Sequence, residues 1–235
     1  MNFSKPLEST KLIKRYKRFL TDVIHPELGE MTVHCPNTGS MKNCWQEGWT
    51  AWVLDSENPK RKYRYTWVLS ENLRGEFIGI NTHFANDIVF EGISDGKVAE
   101  LGEFIEIKKE VKYGEENSRI DILLTDKNNQ KVFVEVKNVT LLEEDGVGYF
   151  PDAVTTRGQK HIRELQKMKQ AGHRAVLFFL VQHSGIDSVK PAKHIDTKYA
   201  ELLAEAMDSG VEVLAYNTKI TPRSIELAKR VVFRV

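Results

Sequence analysis

Along the first third of the chain, hydrophobic positions fall in short alternating runs divided by turn residues. They predict strands at residues 12–21, 31–34, 50–54, 64–69 and 77–80. Pro26 and Gly29, Pro36 to Gly39, Gly48, Asn58-Pro59 and Gly75 break the runs. Five strands in about 70 residues suit a small barrel such as the oligonucleotide/oligosaccharide-binding (OB) fold. After Phe84 the rhythm changes. A short helix is predicted over 84–93, with Phe84, Ile88 and Ile93 on one side and Gly96 as its stop. Three strands in meander order follow at 104–113, 119–125 and 132–141, then a helix over 154–171 with Asp152 and Thr155 as candidate caps. The apolar run 175–181 reads as a strand buried on both faces, and a helix over 199–208 leads to a strand at 211–216. This succession predicts an α/β (α+β) unit after the barrel, dividing the chain into 1–83 and 84–235.

With 235 residues, 41% of them hydrophobic, the chain can bury a sizeable core. No run approaches the roughly 18 apolar residues of a membrane span. The basic N-terminus is not followed by an apolar stretch with a small-residue cleavage site, which sets the expectation of a cytoplasmic protein. Cys35 and Cys44 have no metal-site spacing and read as two reduced thiols.

Charge is balanced overall, 34 basic against 33 acidic groups, which argues against a protein whose whole surface binds polyanions. The basic groups are clustered instead. Lys14-Arg15-Tyr16-Lys17-Arg18-Phe19 and Lys60-Arg61-Lys62-Tyr63-Arg64-Tyr65 interleave cations with aromatic rings. Cations neutralise phosphates and rings stack on bases, so Arg15, Lys17, Arg18, Lys60, Arg61, Lys62 and Arg64 are candidate nucleic-acid contacts. The other readings are a solvated face, or a barrel that binds protein or sugar.

The candidate chemistry lies in the second unit. Asp121 and Glu135 are acids inside apolar strands, and strand periodicity puts Lys137 on the face of Glu135. Adjacent meander strands can bring Asp121 beside Glu135. Two such carboxylates suit Mg²⁺ or Mn²⁺, with Lys137 orienting a water or stabilising developing charge, which is the pattern of a metal-dependent phosphodiesterase. The alternative is a same-face pair at an exposed sheet edge. Glu91 is a possible third metal ligand on the preceding helix. Arg157 and Lys160 open the next helix, where basic groups make an anion site or simply a polar face. His161 shows no partner in the sequence. The turn His34-Cys35-Pro36-Asn37-Thr38-Gly39-Ser40-Met41 reads either as an anion nest or as a tight turn.

Together, Lys17-Arg18-Phe19-Leu20, the run His34 to Met41, Asn58 to Lys62, Ser118-Arg119-Ile120-Asp121, Glu135-Val136-Lys137-Asn138-Val139-Thr140-Leu141 and Phe150 to Gly158 resemble the sugar fermentation stimulation protein A (SfsA) family over essentially the whole chain. The resemblance implies an OB-like barrel followed by a PD-(D/E)xK nuclease-like domain. It implies DNA binding without marked sequence preference and a regulatory role in maltose and other sugar metabolism. Asp121, Glu135 and Lys137 match the nuclease motif, and Glu91 is similar to the helix acid that often precedes it. The motif's proline is replaced by Ile120.

Overall fold

The computed structural model describes residues 1–114 and 118–235. Of the break expected between the first two meander strands, at 114–118, residues 115–117 lie outside the described residues. The front unit is a six-stranded sheet of β1 (Glu8–Tyr16), β2 (Leu20–His25), β3 (Gly29–His34), β4 (Thr50–Asp55), β5 (Tyr65–Glu71) and β6 (Phe77–Gly79). It runs in the order β3-β2-β1-β4-β5-β6 and closes into a barrel where His34 of β3 pairs with Thr66 of β5. Inward Leu12, Val23, Val33, Ala51, Val53 and Trp67 fill it.

The strand expected over 12–21 is two strands. Lys17 and Arg18 have positive φ, 49° and 64°, and turn the chain back so that Tyr16 faces Leu20. Neither residue is a Gly or Asn, so the alternating pattern ran through the turn unbroken.

Helix α1 (Ala85–Ser94) leads into β7 (Glu106–Tyr113), β8 (Ser118–Thr125) and β9 (Lys131–Val139). A short sheet branches off through β10 (Leu141–Glu144) and β11 (Gly146–Phe150). Helix α2 (Thr156–Gln170), β12 (Arg174–Val181), β13 (Ile186–Pro191), α3 (Thr197–Asp208), β14 (Glu212–Ile220), β15 (Ile225–Arg230) and β16 (Val232–Phe233) complete the chain. The main sheet runs β15-β14-β12-β9-β8-β7, and the short one β10-β11-β13-β16. In the main sheet the central strand β12 lies parallel to both β9 and β14 and is buried on both faces, as its unbroken apolar run requires.

Period-two alternation sends Val132, Val134 and Val136 of β9 towards α1 and the barrel, and Phe133 and Val139 towards α2 and α3. The first of these cores includes Leu7, Val68 and Leu69 of the front unit, so barrel and α/β unit share one hydrophobic layer. Backbone bonds from Gly79 N to Gln182 O (2.8 Å) and from Ser184 N to Phe77 O (2.9 Å) tie β6 to the turn after β12. Helix α2 begins at Thr155, whose Oγ1 accepts the Gly158 N–H at 2.9 Å. Gly158 also lets α2 lie against α3, since a Cβ there would stand 3.1 Å from the Tyr199 ring. No helix among the described residues is long and apolar enough to cross a membrane.

Candidate active site

Glu135 and Lys137 share the face of β9 that looks at α2. Glu135 is 1% exposed, which removes the alternative of a pair at an open edge. A buried carboxylate costs several kcal/mol unless cations and hydrogen bonds compensate it. Here Lys137 Nζ donates to Glu135 Oε1 at 2.7 Å, and His161 Nδ1 meets the same oxygen. Burial opposes the charge of Glu135, yet Lys137 and His161 outweigh it and hold its carboxyl below the ordinary value. Its other oxygen, Oε2, is buried and has no hydrogen-bond partner.

Asp121 comes from β8. The β8–β9 ladder pairs Leu124 with Val132 and Ile122 with Val134, so continuing the register puts Asp121 opposite Glu135, just past the last paired position. There the carboxylate replaces a strand carbonyl, because Asp121 Oδ2 accepts the Val136 N–H at 2.7 Å. Burial, and next the charge of Glu135, push the Asp121 carboxyl up to about 6.

Helix α2 supplies what the sequence did not reveal. Arg157 Nε donates to His161 Nε2 at 3.4 Å, while His161 Nδ1 faces Glu135 and lies 3.1 Å from Lys137 Nζ. Arg157 and His161 stand four apart on one helix face, but their target on β9 is set by tertiary packing, which no local pattern encodes. Tyr113 and Tyr199 bring buried hydroxyls without partners close enough to feel the charge of Glu135. Burial first, then nearby carboxylates, push both phenols up.

Glu91 does not join the cluster. It lies on an exposed side of α1, where its Oε2 is 2.6 Å from the Met1 ammonium. At 100° per residue it faces well away from Asn86, and it is Asn86 Nδ2 that reaches Asp121 Oδ1, at 2.9 Å. Arg15 is also displaced from its expected role. Its guanidinium donates to Arg18 O, Asn37 O and Gly39 O at 2.8, 2.9 and 3.0 Å, holding the 36–40 loop against the β1–β2 turn. Arg64 is clamped to Asp55 by two bonds of 2.7 and 2.5 Å. Lys17 and Arg18 in the β1–β2 turn, and Lys60, Arg61 and Lys62 between β4 and β5, are exposed. Burial, with the charges of Arg61 and His83, holds the His34 imidazole below its ordinary value. Arg157 is exposed and Lys160 half-buried on the first turns of α2.

The residues present fit a hard divalent cation only in part. Two carboxylates face each other, one with a buried oxygen that nothing satisfies, and hard oxygen donors suit Mg²⁺ or Mn²⁺. Among the described residues no third His, Cys, Asp or Glu completes a protein cage. That is the donor count of an ion that keeps several waters and takes phosphate oxygens as its remaining ligands.

The fold defines a two-domain protein, an OB barrel fused to an α/β domain. The model of the SfsA N-terminal OB domain matches residues 13–80, and that of the sugar fermentation stimulation protein RE domain matches residues 83–224. The chain belongs to the sugar fermentation stimulation protein family. It is 56% identical over 234 residues to the sugar fermentation stimulation protein homolog of Shewanella woodyi, covering 97% of this chain and 98% of the relative. The homolog of Shewanella frigidimarina is 58% identical over 223 residues, 95% of each chain. Among solved structures, Pyrococcus furiosus SfsA in complex with Ca²⁺ superposes with a TM-score of 0.85 at 28% identity, covering 100% of this chain and 98% of that one.

Proposed function

We propose that this chain is a cytoplasmic DNA-binding protein of low sequence preference whose second domain holds a metal-dependent phosphodiesterase centre, with the working division of the chain near residue 83. The observation that carries the reading is Glu135: a fully buried carboxylate, bound on one oxygen by Lys137 and His161 and left open on the other, opposite Asp121. Asp121 and Glu135 would hold Mg²⁺ or Mn²⁺, and the Ca²⁺ in the Pyrococcus furiosus relative supports a hard cation in this family. When bound, the ion would supply an activated water and polarise a phosphate oxygen. Lys137 keeps an ammonium beside Glu135, where it can stabilise charge on a phosphate oxygen. His161 fixes the Glu135 carboxylate through Nδ1, and the exposed Arg157 fixes His161 through Nε2. Lys17, Arg18, Lys60, Arg61 and Lys62 offer exposed cations on two barrel loops, and Arg157 and Lys160 extend the basic surface along α2.

A second reading keeps the DNA binding, serves regulation of sugar metabolism, and omits the cutting. It is favoured by the neutralisation of Glu135 by this chain's own cations. One experiment separates the two. Calorimetric titration with Mn²⁺, with incubation of labelled DNA, is run on wild type and Asp121→Ala. Metal binding and cleavage that both vanish in the variant establish the nuclease. Retention of DNA with neither leaves the regulatory binder, and absence of retention refutes both.

A further inference from the structure

A second feature sits where the two domains meet. A cavity of 210 Å³ is bounded by Asn37 from the barrel, Thr82 ahead of α1, Asn138 and Thr140 at the end of β9, and Phe150 and Asp152 ahead of α2. It is open to solvent on one side and has room for a planar base. Its polar groups are mixed. Asn37 Oδ1 accepts from Gly39 N, Asn138 Oδ1 from Gln182, and Asp152 Oδ2 from Ser40. Among the described residues, no hydrogen bond of the fold uses the amide N–H groups of Asn37 and Asn138, the Thr82 hydroxyl or Asp152 Oδ1. Free donors and an acceptor that line one cavity with Phe150 suit the edge of a nucleobase. No Lys or Arg lines the cavity, and a carboxylate does, so it is no place for a phosphate.

Its position relates it to both halves of the proposed function. Arg15 ties the exposed Lys17-Arg18 turn to Asn37 and Gly39, so the phosphate contacts border the cavity. On the other side, Asn138 follows Lys137 in β9, about 10 Å along the strand from Glu135 at ~3.3 Å per residue, with its side chain on the barrel-facing side of the sheet and Glu135 on the other, so a strand reaches the acid pair around the end of β9. We infer that the cavity receives a single unpaired base of a DNA strand passing from the barrel loops to the acid pair, so that single-stranded, frayed or mismatched DNA is the ligand class. The inference rests on the nucleic-acid reading above. Extruding a paired base costs a few kcal/mol, while an unpaired base enters without that cost, so the cavity discriminates by strandedness.

The test uses the full chain without added metal and oligonucleotides carrying the fluorescent base 2-aminopurine, as single strand and as full duplex. Retention is measured in parallel by anisotropy of an end label. The expected result is binding of the single strand about tenfold tighter than the duplex, with a 2-aminopurine emission change on binding that the duplex does not show. Gly39→Leu directs a side chain at Asn37 Oδ1 and Asp152 Oδ2, 3.0 and 3.5 Å from a Cβ at that position, and should abolish the emission change and the strand preference. Should that variant unfold by circular dichroism, Thr82→Val, which removes one hydroxyl at constant shape, should reduce both severalfold. DNA retained equally in both forms, with no emission change or with one indifferent to both substitutions, overturns the inference and leaves the proposed function standing. No retention of either DNA overturns both.

Discussion

Asn86 Nδ2 lies 2.9 Å from Asp121 Oδ1, so helix α1 presents an amide, not a carboxylate, to the acid pair. The same Nδ2 reaches Glu110 Oε1 at 3.2 Å. Asn86→Asp would put a third acid among like charges. The metal-free variant should be less stable than wild type by on the order of 1 kcal/mol, and it should bind Mn²⁺ more tightly. Glu91→Ala should leave Mn²⁺ affinity unchanged. Calorimetry with urea denaturation of the metal-free proteins checks both, and a loss of affinity in Glu91→Ala would restore that residue to the site.

Arg15 and its neighbours Lys17 and Arg18 should separate cleanly in mutagenesis. Arg15→Ala removes three bonds to backbone carbonyls and should cost about 2 kcal/mol of stability. Lys17→Ala and Arg18→Ala should change stability by less than ~0.5 kcal/mol, and each should reduce the slope of log affinity against log salt by about 1. DNA anisotropy between low and moderate salt, beside urea curves, is the measurement.

Asp196 anchors two helices. Its carboxylate accepts the Tyr199 N–H at 2.9 Å at the start of α3, and the Thr155 N–H at 2.9 Å ahead of α2. Burial opposes its charge, but these N–H donors and Gln159 prevail and hold the carboxyl below its ordinary 3.8. A depressed acid contributes stability that is present above the unfolded value and lost as pH falls through the folded one. Wild type should therefore exceed Asp196→Ala by at least about 1 kcal/mol near pH 7. The gap should shrink only below pH 3.8. Thermal melts of both proteins from neutral to acid pH test the sign.

Gly158 faces Thr155 and Tyr199. Gly158→Val would bring methyl groups against a Thr155 Cγ2 that stands 2.7 Å from the Cβ position, and should destabilise by about 1–3 kcal/mol. Since α2 carries His161, metal affinity should fall with it. A variant as stable as wild type would show that α2 can shift at no cost.

Much of this architecture was readable in the chain. The apolar run of β12, the meander strands and the three helices follow from period and caps, and Asp121 meets Glu135 because adjacent meander strands must pair. What escaped was set by geometry beyond the local pattern. The Lys17-Arg18 turn uses positive φ without Gly or Asn. Strands β10, β11, β13 and β16 are short and rely on one another for their edges. Glu91 and Asn86 lie on one helix, and only its docking phase decides which of them reaches β8. His161 became legible once β9 and α2 were packed together.

The shared hydrophobic layer beneath barrel and α/β unit makes the protein a rigid jig rather than two tethered tools. Val68 and Leu69 from the barrel pack in the same core as Val134 and Val136, whose strand carries Glu135. Among the described residues, no linker separates the barrel from the unit that carries the acid pair. On the proposed function, a strand gripped at the Lys17-Arg18 turn would meet Glu135 at one fixed offset, and the lengths of any cleaved ends would record it as a ruler does.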